Sequence, residues 1–192
     1  MATEAHCIFC FDVLTSKLDD KTHDISATFA PAKYPLFVTW KLPDEHDQVL
    51  RGCIGTFQNV NLATHLKEYS ILSAFEDSRF DPIEKHELPH LINCVSLLTN
   101  FEKADNYLDW KVGEHGIQIT FLDGTEVRNG TFLPEVAVEQ EWDNEETIQH
   151  LIRKAGYRSK ITPKLLNSLQ VVRYQSSKKQ LTYSEYIKIK QN

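Results

Sequence analysis

The sequence predicts an α+β fold, and three observations carry that expectation. Helical and strand-like patterns are mixed along the chain without the regular βαβ alternation that a doubly wound α/β sheet needs. Asp123-Gly124 lies between two β-like runs, a signal for a primed hairpin turn that makes neighbouring strands antiparallel. No stretch is rich enough in Gly, Ser or Pro to read as a linker, so the 192 residues are expected to form a single domain, 1–192, with a real core.

Each element has its own signal. Residues 3–18 read as a helix, because Ile8, Phe11, Leu14 and Leu18 recur at spacings of three and four. The helix ends in the polar stretch Lys17-Leu18-Asp19-Asp20-Lys21. Residues 36–40, β-branched and aromatic after Pro35, read as a strand. The polar run Pro43-Asp44-Glu45-His46-Asp47 is then a hairpin tip leading into a strand at 51–57. Asn61 is a good N-cap for a helix carrying Leu62, Leu66, Tyr69 and Ser73 on one stripe. Pro82 disfavours helix at Asp81. Residues 91–101 read as a buried strand, and 117–122 with 125–133 as the hairpin around Asp123-Gly124. Asp143 with Glu146 resembles a capping box opening a helix through Ile148, Leu151, Ile152 and Ala155, which Gly156 stops. Thr162-Pro163 opens a short helix, 171–174 is a last strand, and 184–190 a terminal helix.

Composition narrows the function classes. The hydrophobic fraction is 41% and the charged fraction 25%, both ordinary for a globular protein. Lys and Arg number 21 against 27 Asp and Glu, a net charge of −6. Nucleic-acid binding needs a basic footprint, so nucleic acid is not an expected partner. The basic concentration Lys178, Lys179, Lys188 and Lys190 is interrupted by Glu185 and reads as a solvated face. No apolar run approaches the ~20 residues of a membrane span. The N-terminus has no basic n-region and Asp12 breaks its apolar run, so neither a membrane nor a secretory signal is expected. Four cysteines in this length do not make a disulfide scaffold. The expected location is therefore a reducing compartment, cytoplasmic and/or nuclear, where the sequon Asn129-Gly130-Thr131 stays unmodified.

Several clusters carry residue types suited to chemistry. Cys7-Ile8-Phe9-Cys10, with His6, is half of a zinc site that Cys53 and Cys94 would complete, but it lies in an apolar helical pattern rather than a knuckle. His86 and His90 have ligand spacing, yet Pro89 stands between them and a solvated loop is the better reading. Trp40, Trp110 and Trp142 read as core or rim anchors. No metal and no cofactor is expected. The run of most interest is 49–57, where Cys53 sits between Gly52 and Gly55, two residues after Arg51. Two glycines permit a bend and close approach, and Arg51 offers a positive charge that favours thiolate. A small buried cysteine in a bulged strand is the alternative.

The segment Leu50-Arg51-Gly52-Cys53-Ile54-Gly55 resembles the signature hexapeptide of the AMMECR domain family. Five further blocks agree in order: Tyr34-Pro35-Leu36-Phe37-Val38-Thr39-Trp40-Lys41, Asp77-Ser78-Arg79-Phe80, Val95-Ser96-Leu97-Leu98-Thr99, Gly113-Glu114-His115-Gly116-Ile117 and Leu133-Pro134-Glu135-Val136-Ala137. The resemblance spans roughly residues 5–187. It implies a mostly antiparallel β-sheet flanked by helices, with a smaller subdomain. It also singles out candidate residues that only the fold can unite: Cys53 as nucleophile, His115 as its base and Glu135 as the group that orients the base or holds a cation. Arg51, Gly52, Gly55 and Arg79 are the candidate binding residues. Each has a plainer reading: Arg79 pairs with Asp77, His115 is a turn residue, and Glu135 is an exposed carboxylate.

In many prokaryotes the domain is fused to, or encoded beside, Memo-type proteins and radical S-adenosylmethionine proteins. The resemblance therefore implies an interaction or modification factor that works with a Memo-type protein partner through the hexapeptide region, on an unknown small-molecule or protein substrate. The alternatives are a cysteine-dependent enzyme using Cys53 as nucleophile or carrier, and a nuclear regulatory factor. Whether the protein is an enzyme stays open at this point.

Overall fold

The computed structural model describes residues 1–20, 25–45 and 47–191; Lys21 and His46 of the two polar stretches lie outside them. In chain order the elements are α1 (Glu4–Leu18), β1 (Lys33–Pro43), β2 (Gln48–Asn61), α2 (Leu62–Phe75), a 3-10 turn (Lys85–His90), β3 (Ile92–Lys103), β4 (Gly116–Asp123), β5 (Glu126–Phe132), α3 (Pro134–Glu139), α4 (Asn144–Lys154), α5 (Pro163–Ser168), β6 (Gln170–Thr182) and α6 (Tyr183–Gln191). The fold is α+β. The strands follow the order β2-β1-β3-β6-β4-β5, with β2 and β5 at the two edges. The chain divides into two compact units, Met1–Leu97 with Ser177–Asn192, and Leu98–Ser176.

In the first unit the alternation of β1 decides which face is core. Leu36, Val38 and Trp40 are buried, while Phe37 and Thr39 point the other way. Phe9, Cys10, Phe11 and Leu14 of α1 and Leu62, Leu66 and Ala74 of α2 complete that core. The Trp40 indole N–H donates to the carbonyl of Ser70 at 3.2 Å, so the buried ring is satisfied. Asn61 caps α2 as expected, its side-chain oxygen accepting from the Thr64 N–H at 3.0 Å.

The second unit has a separate core, in which Ile117, Ile119 and Phe121 of β4 meet Ile148, Leu151 and Ile152 of α4, with Trp110 and Val171. Its hairpin turns at Gly124, where φ is +62°, and pairs Asp123 with Glu126. The capping box forms in full: the Asp143 carboxylate accepts from the Glu146 N–H at 2.8 Å and the Glu146 carboxylate from the Asp143 N–H at 3.0 Å. Gly156, at φ +90°, follows the last turn of α4.

Three features go beyond the sequence patterns. β6 runs to Thr182 rather than stopping at 174, because backbone pairing enlists the polar residues 175–180, which have no apolar alternation to announce them. Helix α3 has six residues opened by Pro134, too few for a periodicity. Pro89 sits inside the 3-10 turn, where the short run tolerates it, and His86 and His90 are exposed there. Among the described residues no helix is long and apolar enough to cross a membrane.

Candidate functional site

The register of β1 with β2 explains the environment of Cys53. Trp40 pairs with Gly52 and Lys41 with Leu50, so Arg51 is an extra residue, a β-bulge. The bulge turns its side chain toward the 3-10 turn. The Arg51 guanidinium donates from Nε and Nη2 to the two carboxylate oxygens of Glu87 at 2.7 and 3.0 Å, and from Nη1 to the Asp81 carbonyl at 2.6 Å. Burial acts to raise the Glu87 carboxyl, but Arg51 and the Glu84 N–H outweigh it and hold the group below its ordinary range.

Both glycines are explained by crowding. A Cβ on Gly52 would lie 1.9 Å from the Ser73 carbonyl oxygen of α2, and one on Gly55 would meet the Phe37 ring at 2.3 Å. The helix and the aromatic ring approach β2 as closely as they do because nothing projects there.

Cys53 is half-buried and faces Thr39, whose hydroxyl donates to the sulfur at 3.2 Å. Burial pushes the thiol upward; the Thr39 hydroxyl and the Arg79 charge pull it back without cancelling the rise. The backbone of Cys53 is held from the side away from β1. Its N–H donates to Asp77 Oδ2 at 2.9 Å, and Arg79 Nη2 donates to its carbonyl at 3.4 Å. Arg79 in turn grips Asp77 from Nε at 2.9 Å and Nη2 at 2.7 Å. Asp77 is buried at 7% exposure, and the Arg79 hydrogen bonds, aided by the Cys53 N–H against the opposing effect of burial, hold its carboxyl far below the usual range. Asp77 was not among the residues the sequence singled out as a site, although its position two before Arg79 was the available signal.

The structure thus brings Arg51, Gly52, Cys53, Gly55 and Arg79 together within the first unit, with Asp77 and Thr39 added. His115 and Glu135 belong to the second unit. His115 lies in the turn before β4 with 11% of its side chain exposed. Its Nδ1 accepts from the Lys111 N–H at 3.1 Å, which assigns the proton of the neutral ring to Nε2. It lines a cavity of about 410 Å³ with Arg173, whose guanidinium bridges Glu102 at 3.0 Å and Asp109 at 2.8 Å. Glu135 follows Pro134 in the first turn of α3. Burial first, and the charge of Glu135 with it, raises the Tyr174 hydroxyl above its ordinary range.

Comparison with known proteins adds the family. The AMMECR1 family pattern matches residues 7–179. The chain belongs to the AMMECR1 family. It is 42% identical to the uncharacterized protein At2g38710 of Arabidopsis thaliana over 189 residues, covering 97% of this chain and 88% of that protein. It is also 42% identical to the uncharacterized protein C688.03c of Schizosaccharomyces pombe, covering 97% and 96%. The crystal structure of uncharacterized protein PH0010 from Pyrococcus horikoshii superposes with a TM-score of 0.67 at 25% identity, over 92% of this chain and 89% of that one.

The other cysteines of this AMMECR1-family chain are buried. Cys7 and Cys10 lie in α1; burial pushes the Cys7 thiol up to about 12, and its S–H donates to the Lys179 carbonyl at 3.2 Å. Burial also drives Cys10 upward. Cys94 pairs with Thr39 from β3. Among the described residues no three His, Cys, Asp or Glu side chains form a group able to hold a metal ion.

Proposed function

We propose that this AMMECR1-family protein is an interaction or modification factor that works with a Memo-type partner through the Leu50-Arg51-Gly52-Cys53-Ile54-Gly55 segment. The observation that carries the reading is the anchoring of Cys53: Asp77 and Arg79 hold its backbone, while burial pushes its thiol upward. A segment built this way has a rigid shape and exposed apolar neighbours, Val49 at 45% and Leu50 at 38%, which suits recognition. Titration calorimetry of the full chain against a purified Memo-type protein tests it. Binding is expected, weakened at least about tenfold by Leu50→Asp and unchanged by Cys53→Ser, whose hydroxyl keeps a partner for Thr39. Absence of heat with the wild-type chain overturns the partner.

One observation favours the cysteine-dependent enzyme as a second reading. Thr39 and Arg79 both act to stabilise a thiolate at Cys53, and it is the cysteine that is not fully buried. In that reading Cys53 is the nucleophile or carrier. Alkylation of Cys53 followed by peptide mass spectrometry decides: an inflection well below the free-thiol value of about 8.5 supports the enzyme. A location in the cytoplasm and/or nucleus, with a regulatory role in the nucleus, belongs to the same set of proposals and is tested by fractionation.

A further inference from the structure

We infer that the far end of the β1–β2 hairpin docks a protein segment in which Lys or Arg residues are interleaved with apolar ones. The inference rests on the reading that this region engages a protein partner, and it adds the chemistry of that partner's surface.

Beyond the Arg51 bulge, Leu42 pairs with Val49 and Lys41 with Leu50. Val49 and Leu50 are exposed large apolar side chains; Val49 shares the face of Leu42, and Leu50, one residue on, the face of Lys41. Val49 adjoins, along the strands, a groove of about 590 Å³ that Leu42, Pro43 and Pro82 line with apolar surface and the Arg51–Glu87 pair lines with polar surface. The tip carries exposed Asp44, Glu45 and Asp47, and the groove is also lined by exposed Asp81 and Glu84.

Among the described residues the cations in this part of the chain do not balance those carboxylates: Lys41, in β1 opposite Leu50, is one positive charge against five negative ones. Arg51 is taken by Glu87, and Lys85 by Asp19 at 2.6 Å. His86 lies beside Glu84, its Nδ1 at 3.2 Å, and His90 lines the groove. The surface therefore combines an apolar strip with surplus negative charge. A nucleic-acid backbone or an anionic lipid surface is repelled by it. A segment with apolar side chains for Leu42, Val49 and Pro82 and with cations for the surrounding carboxylates satisfies both halves: an apolar contact centre and complementary charge at its margin.

The test uses the full chain and a fluorescein-labelled synthetic helix with leucine at i, i+3, i+4 and i+7 and lysine elsewhere. A matched helix carries glutamate in place of lysine. Fluorescence anisotropy is expected to show binding of the lysine helix and none of the glutamate helix. Val49→Asp, and separately the triple change Asp44→Lys, Glu45→Lys, Asp47→Lys, should each weaken binding at least about tenfold. A control with the same change in net charge elsewhere, Glu139→Lys, Glu141→Lys, Glu145→Lys, should bind as the wild type does. Circular dichroism confirms that each variant is folded. No binding, or equal weakening by the control, overturns the inference. The Memo-type titration separates it from the broader reading. If that protein binds wild type, Val49→Asp and the tip variant alike, the docking inference fails and the partner stands. If it does not bind at all while the lysine helix binds at the tip, the partner fails and the docking inference stands.

Discussion

At Gly52 one missing carbon sets the distance between α2 and β2. A Cβ there meets the Ser73 carbonyl at 1.9 Å, and a backbone atom inside a helix cannot swing aside. Gly52→Ala should therefore cost about 3 kcal/mol, read as a lowered midpoint in urea with little change in slope. Gly124, with nothing within 4 Å of its Cβ position, should accept Asn at its positive φ with only a small loss. Cys53 makes the opposite kind of prediction, about reactivity. Because burial raises its thiol, alkylation at pH 8 should be slower than for a free thiol, with buried Cys7, Cys10 and Cys94 slower still in the native protein. The sequence placed the glycines and the cysteine together and offered close approach as their reason. It offered Arg51 as the charge beside the thiol, whereas the contacts give Arg51 to Glu87 and put Arg79 nearest the cysteine. A bulge shifts side-chain alternation by one residue, and no local residue pattern reports its position.

At the scale of elements, β2 is an edge strand that the chain closes piece by piece. One bulge sits at Arg51, a second irregularity separates the Leu36–Thr56 and Tyr34–Val60 pairs, and between them Asp77 and Arg79 take up the outward N–H and C=O of Cys53. These devices prevent pairing with another strand. Asp77→Ala removes the acceptor of the Cys53 N–H and the partner of Arg79, for an expected loss of about 2 kcal/mol. It should also produce concentration-dependent association in sedimentation velocity, which Glu139→Ala, on an exposed position of α3, should not. Helix α4 offers a milder case: Asp143→Ala deletes the acceptor for the Glu146 N–H and should cost about 1 kcal/mol in thermal unfolding. That cap was legible because both partners lie within four residues. The Asp77 clip was not, because its meaning depends on which strand is at the edge.

For the whole molecule the shifted groups give stability a window in pH. Asp77 and Glu87 are held low in the folded state, so their contribution is present above the ordinary carboxylate range near pH 4 and is lost as pH falls below it. Cys7 is raised to about 12, and Cys10, Tyr174 and Tyr186 are raised in the same sense by burial. Their contribution is complete below the unfolded values near 9 to 10 and is lost as pH climbs toward the folded ones. Burial lowers the His6 imidazole, so its contribution is complete above the ordinary histidine value near 6.5 and is lost as pH falls below it. The melting temperature should be highest between about pH 7 and pH 8 and fall on both sides; a midpoint that rises above pH 9 would contradict the buried thiols and phenols.

The α+β class, the helices with clear caps, the Gly124 hairpin and, through six ordered blocks, the family are legible along the chain. Those properties rest on local spacing, turn chemistry and linear motifs, all of which are written within short stretches of chain. The length of β6, the existence of α3, the partner of Arg51 and the clip that Asp77 and Arg79 form on Cys53 emerge only once the chain is folded. Each of these depends on backbone pairing or on which distant residues come within hydrogen-bond reach. Such contacts leave no period in the sequence.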